Sequence, residues 1–371
     1  MITDLLGKNL SPQKVLFRNG ALLELPYEAS EFSAIGLVVH GLSFQRNNGL
    51  ARLRPLFEAA GMEAAFFTRS TSREPLLGEI TAVLEEARSL GAGWIAGIGG
   101  GSVLDLAKAA AGLFYGSRTP ADYQDGAKLE KPGIPFLAVP TTAGTGSEAT
   151  PNSVIINPDQ KTKLSIRAPG FLAKKVILDP ELLDGLPSSV VRDSGMDAFV
   201  QAYEAFISKN ASPETDAFAL EALRLIHLHL PQAIAHKRRE HLEALLLASY
   251  YAGVALSAAR LGVIHGIAHP LGVLYGVPHG LICAACLTIS VRLNRDAMGG
   301  KYAVLGKMLG GDFLEITEGL TSGLAVPSPF KGRPLLEKEK IIRETLSSGS
   351  TAANPKTITR EDVEWFLREL F

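Results

Sequence analysis

Short apolar runs alternate with amphipathic stretches through the first half of the chain, and then the alternation stops. AIGLVVHG (34–41), EAAFFT (63–68), GWIAGIG (93–99) and PFLAVPTT (135–142) are separated by GLARLRPLFEAAG, LLGEITAVLEEARSLG and SVLDLAKAAAGLFY. Strands that read as nearly continuous apolar runs are buried on both faces, so this order predicts a parallel sheet covered by helices on either side. Between 152 and 178 the pattern turns to SVIINPDQKTKLSI and KVILDP, with a polar turn at Asn157-Pro158-Asp159. That stretch reads as a hairpin and one more strand at the domain edge. From about residue 188 only helical spacing remains, as in SSVVRDSGMDAFVQAYEAFIS and LEALLLASYYAGVALSAARLG. Ser188 and Ser212 are expected N-caps, Pro213 suits a first helical position, and Thr359 with Glu361 and Asp362 suits a capped final helix. The expectation is an α/β domain over residues 1–183, with a Rossmann-like parallel sheet, followed by an all-α domain over 184–371.

Composition removes several partner classes. At 371 residues the chain is long for a single core, in keeping with two domains. A net charge of −1 without a long basic block argues against a nucleic-acid partner. No apolar run reaches the roughly 20 residues of a membrane span, and MITDLLGKNLSPQKV lacks the basic-then-apolar order of a secretory signal. Two cysteines supply no disulfide framework, so a reducing cytoplasm is expected. Cys283 and Cys286 form a C-x-x-C, but their apolar flanks in GLICAACLTI read as small residues on one face of a buried helix.

Two turns look built for phosphates. GIGGGSVLDLAK sets glycines 97, 99, 100 and 101 between a strand and a helix, where bare backbone and a helix start can meet a pyrophosphate. PTTAGTGSE (140–148) puts Thr141 and Thr142 at the carboxyl end of an apolar strand, where open α/β sheets bind ligands.

A third constellation suits a metal. Three of the eight histidines, His265, His269 and His279, fall within fifteen residues, and GMDAFVQAYEAF upstream offers the carboxylate of Asp197 and the amide of Gln201. A carboxylate with clustered imidazoles suits zinc or ferrous iron. A continuous helix would hold His265 and His279 about 21 Å apart. Pro270, Gly272, Gly276 and Pro278 interrupt that stretch and let the chain turn back. His227, His229, His236 and His241 read as ordinary packed or surface residues. Phe199, Tyr203, Tyr250, Tyr251 and Leu256 are pocket candidates for which core packing is the default reading.

GGGSVLDLAK, PTTAGTGSEAT, GMDAFVQAYEAF and GVIHGIAHPLGVLYGVPHG, in this order, resemble the iron-dependent (group III) alcohol dehydrogenases over nearly the whole chain, and TAANPKTITREDV is similar to that family's closing segment. The resemblance implies a dehydroquinate synthase-like fold, a small alcohol or carbonyl substrate and a homodimer. It implies Gly99, Gly100, Gly101 and Ser102 at the cofactor pyrophosphate, with Asp105, Thr141, Thr142 and Thr145 nearby and Lys163 toward the ribose or nicotinamide. It places Asp197, His265 and His279 at metal-ligand positions and His269 beside the reacting centre, where His269 or a bound water relayed through the ribose hydroxyls is the candidate proton source. The family usually has a histidine four residues after the ligand aspartate. Gln201 stands there, still on the aspartate's helix face but a poorer ligand, which leaves Fe2+ or Zn2+ open. NAD-preferring enzymes carry an acid at the end of an early strand. VVHGLSFQRNNG has Gly41 there with Arg46 beyond, which favours NADP(H) over NAD(H). The implied activity is NAD(P)-dependent, metal-assisted hydride transfer between an alcohol and an aldehyde or ketone. A carbocycle-forming synthase of the same fold would need a Lys/Arg cluster that residues 250–290 lack. A decayed binding protein or a metal-free, maleylacetate reductase-like enzyme sits poorly with the retained Asp197 and His269-Pro270.

Overall fold

A computed structural model describes residues 12–71 and 74–371. Most of the N-terminal segment tested above for a secretory signal, residues 1–11, lies outside the described residues. The four apolar runs of the first half become strands β2 (Ile35–Gly41), β3 (Glu63–Arg69), β4 (Ile95–Gly99) and β5 (Phe136–Pro140). With β1 (Lys14–Phe17) and β8 (Lys175–Leu178) they form one sheet in the order β1-β8-β5-β4-β2-β3, every pair parallel. Every residue of β4, β5 and β8 is buried, which is why these runs show no polar alternation. The hairpin is β6 (Asn152–Asn157) with β7 (Thr162–Arg167), antiparallel and separate from the main sheet.

Two expectations about this region need correction. β1 was not foreseen, because KVLF is only four residues long and begins with lysine. β8 lies inside the sheet, between β5 and β1, and not at an edge. Its leading Lys175 is buried and neutralised by Glu28 and Glu31, each 2.7 Å away, so that lysine does not mark a solvent-facing strand.

Contacts divide the chain into two compact units. One holds the described residues through Thr142 together with 146–184, and the other holds 143–145 with 185–371. In the first, β2 sits between β3 and β4, so the chain leaves β2 toward one side of the sheet and leaves β4 toward the other. Connections that part in this way open a crevice at the carboxyl ends of the strands. Gly41, Gly99 and Pro140 end β2, β4 and β5 there, with Gly99 in register with Pro140.

One buried pair fastens the turn after β4 to the turn after β5. Lys108 lies on the helix Gly101–Gly112 with no exposed surface. Its Nζ donates to Ser147 O (2.6 Å), Ser147 Oγ (2.8 Å), Thr150 Oγ1 (3.2 Å) and Asn152 O (2.7 Å). Asp105, one turn earlier, accepts from the Ser147 hydroxyl and the Val154 N–H and lies 3.6 Å from Lys108 Nζ. Burial lowers the Lys108 pKa to about 8 against the pull of Asp105.

The second unit is helical. Ser188–Ile207, Pro213–His236 and Arg239–Ala259 pack together, followed by Val263–Tyr275 and His279–Asn294. Ser212 caps its helix by accepting from Thr215 N, and Thr359 and Asp362 cap the last one reciprocally. Ser188 does not act as a cap; Pro187 holds that position and Ser188 is the first helical residue. Among the described residues one helix, Arg239–Ala259, has the length and apolarity of a membrane span, but 72% of that stretch is buried against the protein's own helices. Removing the buried lysine is the sharpest test of the turn assembly. Lys108→Met leaves the part-buried Asp105 without its counter-charge and is expected to cost up to about 3 kcal/mol, the low end for breaking a buried pair, read as a lower denaturant midpoint for the α/β unit.

Candidate metal centre

The histidines converge because of one short break. The helix Val263–Tyr275 runs unbroken through Pro270 and Gly272, contrary to the expectation that these interrupt it. The chain turns at Gly276, which has φ 64°, and at Pro278, after which His279 opens the next helix. His265 is thus in the first turn of one helix and His279 is the first residue of its successor. The second helix approaches Ser188–Ile207 closely at Gly280, where a Cβ would stand 2.2 Å from the Asp193 carbonyl oxygen. That approach brings His279 to Asp197, in the middle of the aspartate helix.

The donor atoms form a tight group. Asp197 Oδ1 is 3.5 Å from His265 Nε2 and 3.8 Å from His279 Nε2. Cys283 Sγ is 3.6 Å from His279 Nε2 and 3.9 Å from His265 Nε2. One ligand atom from each of the four residues lies within 4.8 Å of all the others. The His269 ring centroid is 5.9 Å from that of His279. Asp197 Oδ1 and Gln201 Oε1 are buried acceptors that no donor among the described residues satisfies. A carboxylate oxygen, two imidazole nitrogens and a sulfur gathered this closely fit a cation, and carboxylate with imidazole is the donor set of a divalent transition metal.

Glu204 organises this group from behind. It is fully buried, two helical turns after Asp197, and its carboxylate accepts from His265 Nδ1 at 2.7 Å, Gly262 N at 2.9 Å and Ile264 N at 2.7 Å. The contact fixes the His265 tautomer and leaves Nε2 turned to Asp197. It also sets a negative charge at the start of Val263–Tyr275, where the helix dipole favours one. Gly262 permits the approach, since a Cβ there would meet Glu204 Oε1 at 2.7 Å and Asn354 Oδ1 at 2.9 Å.

Electrostatics follow from this crowding. Burial works against charge on His265, yet Cys283, Asp197 and Glu204 around it together hold its pKa well above the usual imidazole value. Burial would raise Asp197, but His279 and His265 bring it below the ordinary carboxyl range. Burial pushes the Cys283 thiol up to about 12, with His265 opposing. Glu204 and Cys283 were not singled out as site residues from the sequence. Their signal was spacing, seven residues after Asp197 and four after His279, which puts each on its partner's helix face.

The expected cofactor residues divide. Gly41, Gly99, Gly100, Gly101, Ser102, Thr141 and Thr142 come together at the carboxyl ends of β2, β4 and β5, with Thr141 N donating to Gly99 O at 3.0 Å. Gly100 caps the helix Gly101–Gly112 with extended backbone, so the first N–H groups of that helix have no intrahelical acceptor. The Asp105 carboxylate is engaged with Ser147 and Val154. Lys163, on β7, pairs with Glu74 at 2.9 Å. Thr145 belongs to the helical unit.

Comparison with known proteins agrees with this chemistry. The family model for iron-containing alcohol dehydrogenase matches residues 12–180, and that for the C-terminal part of the same family matches 191–371. An NAD-dependent methanol dehydrogenase of Bacillus methanolicus is 29% identical, over 97% of this chain and 98% of its own. A sulfoacetaldehyde reductase of Bilophila wadsworthia is 38% identical over 71% of this chain and 70% of its own. The crystal structure of a 1,3-propanediol oxidoreductase superposes with a TM-score of 0.92 at 28% identity, covering 98% of this chain and 99% of that one. A parallel α/β unit and a helical unit with a carboxylate–imidazole centre define the class, an NAD(P)-dependent oxidoreductase acting on alcohols and aldehydes. Within it, the chain belongs to the iron-containing, group III alcohol dehydrogenase family.

Glu204 provides a test of how the centre is held. Glu204→Ala strands His265 Nδ1 and two backbone N–H groups, and metal affinity is expected to fall roughly 10- to 100-fold, measured by competition with a chromophoric chelator.

Proposed function

We propose that this enzyme interconverts a small primary alcohol and its aldehyde with NADP(H), using a divalent ion held by Asp197, His265 and His279 with the Gln201 amide beside them. The observation that carries the metal reading is the buried Asp197 oxygen, which stands 3.5 and 3.8 Å from two imidazole nitrogens, with the Cys283 sulfur in the same group. A divalent ion supplies a Lewis acid for the charge that grows on a carbonyl oxygen, and the nicotinamide carries the hydride. Glu204 keeps the His265 Nε2 lone pair turned inward. His269, half-buried near His279, is the side chain assigned to hold and release the proton.

The α/β domain, residues 1–183, is the coenzyme domain in this reading, and the all-α domain, 184–371, carries the chemistry. Gly99, Gly100, Gly101, Ser102, Thr141 and Thr142 would receive the pyrophosphate, aided by the helix start. Asp105 supports that turn through Ser147, and Thr145 and Lys163 remain candidates for the far side of the coenzyme. The preference for NADP(H) rests on the end of β2. No acid occurs from Gly41 to Phe57, and Ser43, Gln45 and Arg46 are exposed there, so this stretch carries no negative charge to repel a 2′-phosphate. The substrates named for the relatives, methanol and sulfoacetaldehyde, are small, and the same size class is assigned here. A reducing cytoplasm suits the two buried free thiols, and the family resemblance adds a homodimer.

Two measurements decide the reading. kcat/KM should be higher with NADPH than with NADH, and Gly41→Asp should reverse the order by about tenfold or more, equal to 1.4 kcal/mol or above; a native preference for NADH overturns the coenzyme assignment. Asp197→Ala should abolish metal content by elemental analysis and lower kcat roughly 10²- to 10³-fold while leaving coenzyme affinity nearly intact. Full activity in that variant would reject the metal site.

A further inference from the structure

We propose that Cys283 is a metal ligand, so that the ion is held by one carboxylate, two imidazoles and one thiolate, from Asp197, His265, His279 and Cys283. The inference rests on the metal reading above and adds to it a donor of different chemistry.

Geometry carries the argument. Tetrahedral bonds of 2.0–2.3 Å to nitrogen, oxygen and sulfur place neighbouring donor atoms about 3.3–3.6 Å apart. The pairs here are 3.5 and 3.8 Å for the carboxylate oxygen with the two imidazoles, and 3.6 and 3.9 Å for the sulfur with the same two. The sulfur therefore stands among these atoms as a fourth vertex would: these four spacings need to contract by only a few tenths of an ångström, and every remaining pair lies within 4.8 Å. Cys283 is fully buried, one helical turn after His279, and its sulfur turns to the two imidazoles. Cys286 is equally buried on the same helix but lies outside this group. The independent sign of a ligand is the Asp197 oxygen, on a residue 3% exposed, aimed into the group without a donor. The Gln201 amide is a weaker alternative for the fourth place, because a neutral carbonyl is a poor donor to zinc or ferrous iron beside a thiolate. Coordination would release the thiol proton to solvent and leave sulfur bonded to the ion. No oxidant is required.

The test uses the whole chain, loaded with Co2+ without oxygen. The native protein and Cys286→Ser should show intense near-ultraviolet sulfur-to-cobalt charge-transfer absorption. Cys283→Ser should lack it and bind cobalt at least the roughly 10- to 100-fold more weakly that loss of an outer-shell partner alone would cause. X-ray absorption of the zinc-loaded native protein, which requires no variant, should place one sulfur at about 2.3 Å. Stoichiometric metal with only nitrogen and oxygen neighbours and no charge-transfer band overturns the role of Cys283 while leaving the metal site standing. A native protein that takes up neither cobalt nor zinc overturns both.

Discussion

A carboxylate oxygen buried without a donor is costly, about 1–3 kcal/mol for a neutral group and more for a charged one, and Asp197 presents one at the centre of the helical unit. Hydrogen bonding does not relieve it. The nearest polar atoms are imidazole nitrogens and a sulfur, and the nearby glutamine contributes another unsatisfied oxygen. Such a group of lone pairs is stable only around a positive charge, supplied by an ion or by protonated histidine. Cys283, Asp197 and Glu204 raise the pKa of His265 against its burial, which is the same pull toward positive charge. The surrounding helices give the cluster no room to disperse. Gly280 and Gly262 bring backbone within a distance that a single methyl group would forbid, and Glu204 ties the start of one helix to the face of another.

The α/β unit solves a different problem by a related device. Its two candidate phosphate turns follow adjacent strands, and turns rich in glycine and threonine have little of their own to hold them. Lys108 supplies the fastening from below, with four acceptors around one ammonium and Asp105 as its counter-charge. A lysine placed there is expensive to desolvate, and its lowered pKa reflects that cost. In return the turn after β5 is held against the helix after β4. Asp105 and Lys108 belong to one motif in the sequence, and the structure uses them as a brace beneath the turn.

The architecture was legible because it follows from periodicity. Continuous apolar runs gave β2 to β5, and the loss of alternation after residue 188 marked the helical unit. β1 escaped notice because four residues carry too little pattern, and the place of β8 between β5 and β1 could not be read because it depends on pairing with that unforeseen strand. Within the site, Asp197, His265 and His279 could be named from their types and spacing, but their convergence could not. It depends on Gly276 adopting a left-handed conformation and on Pro270 being tolerated inside a helix. The motif glycines and threonines could likewise be named without showing that Asp105 and Lys163 turn to partners of their own. Glu204 and Cys283 lay in quoted motifs and were passed over, because glutamate on a helix and cysteine in an apolar run have common, uninformative readings.

Cys283 and Gln201 illustrate a general property of centres built between helices. A residue one turn after Asp197 and a residue one turn after His279 each lie on the helix face of a candidate ligand, because each follows it by four positions. The fourth donor is therefore not tied to one place in the chain. In the proposed centre it would pass from the aspartate helix to the histidine helix, while the Glu204 contact holds His265 in place. What such an exchange alters is donor character. A thiolate is softer than an imidazole and far softer than an amide oxygen, and that shifts the balance among divalent ions toward zinc. Family membership fixes the fold and the chemistry performed on the substrate, whereas the identity of the ion follows from the local donor set of this chain.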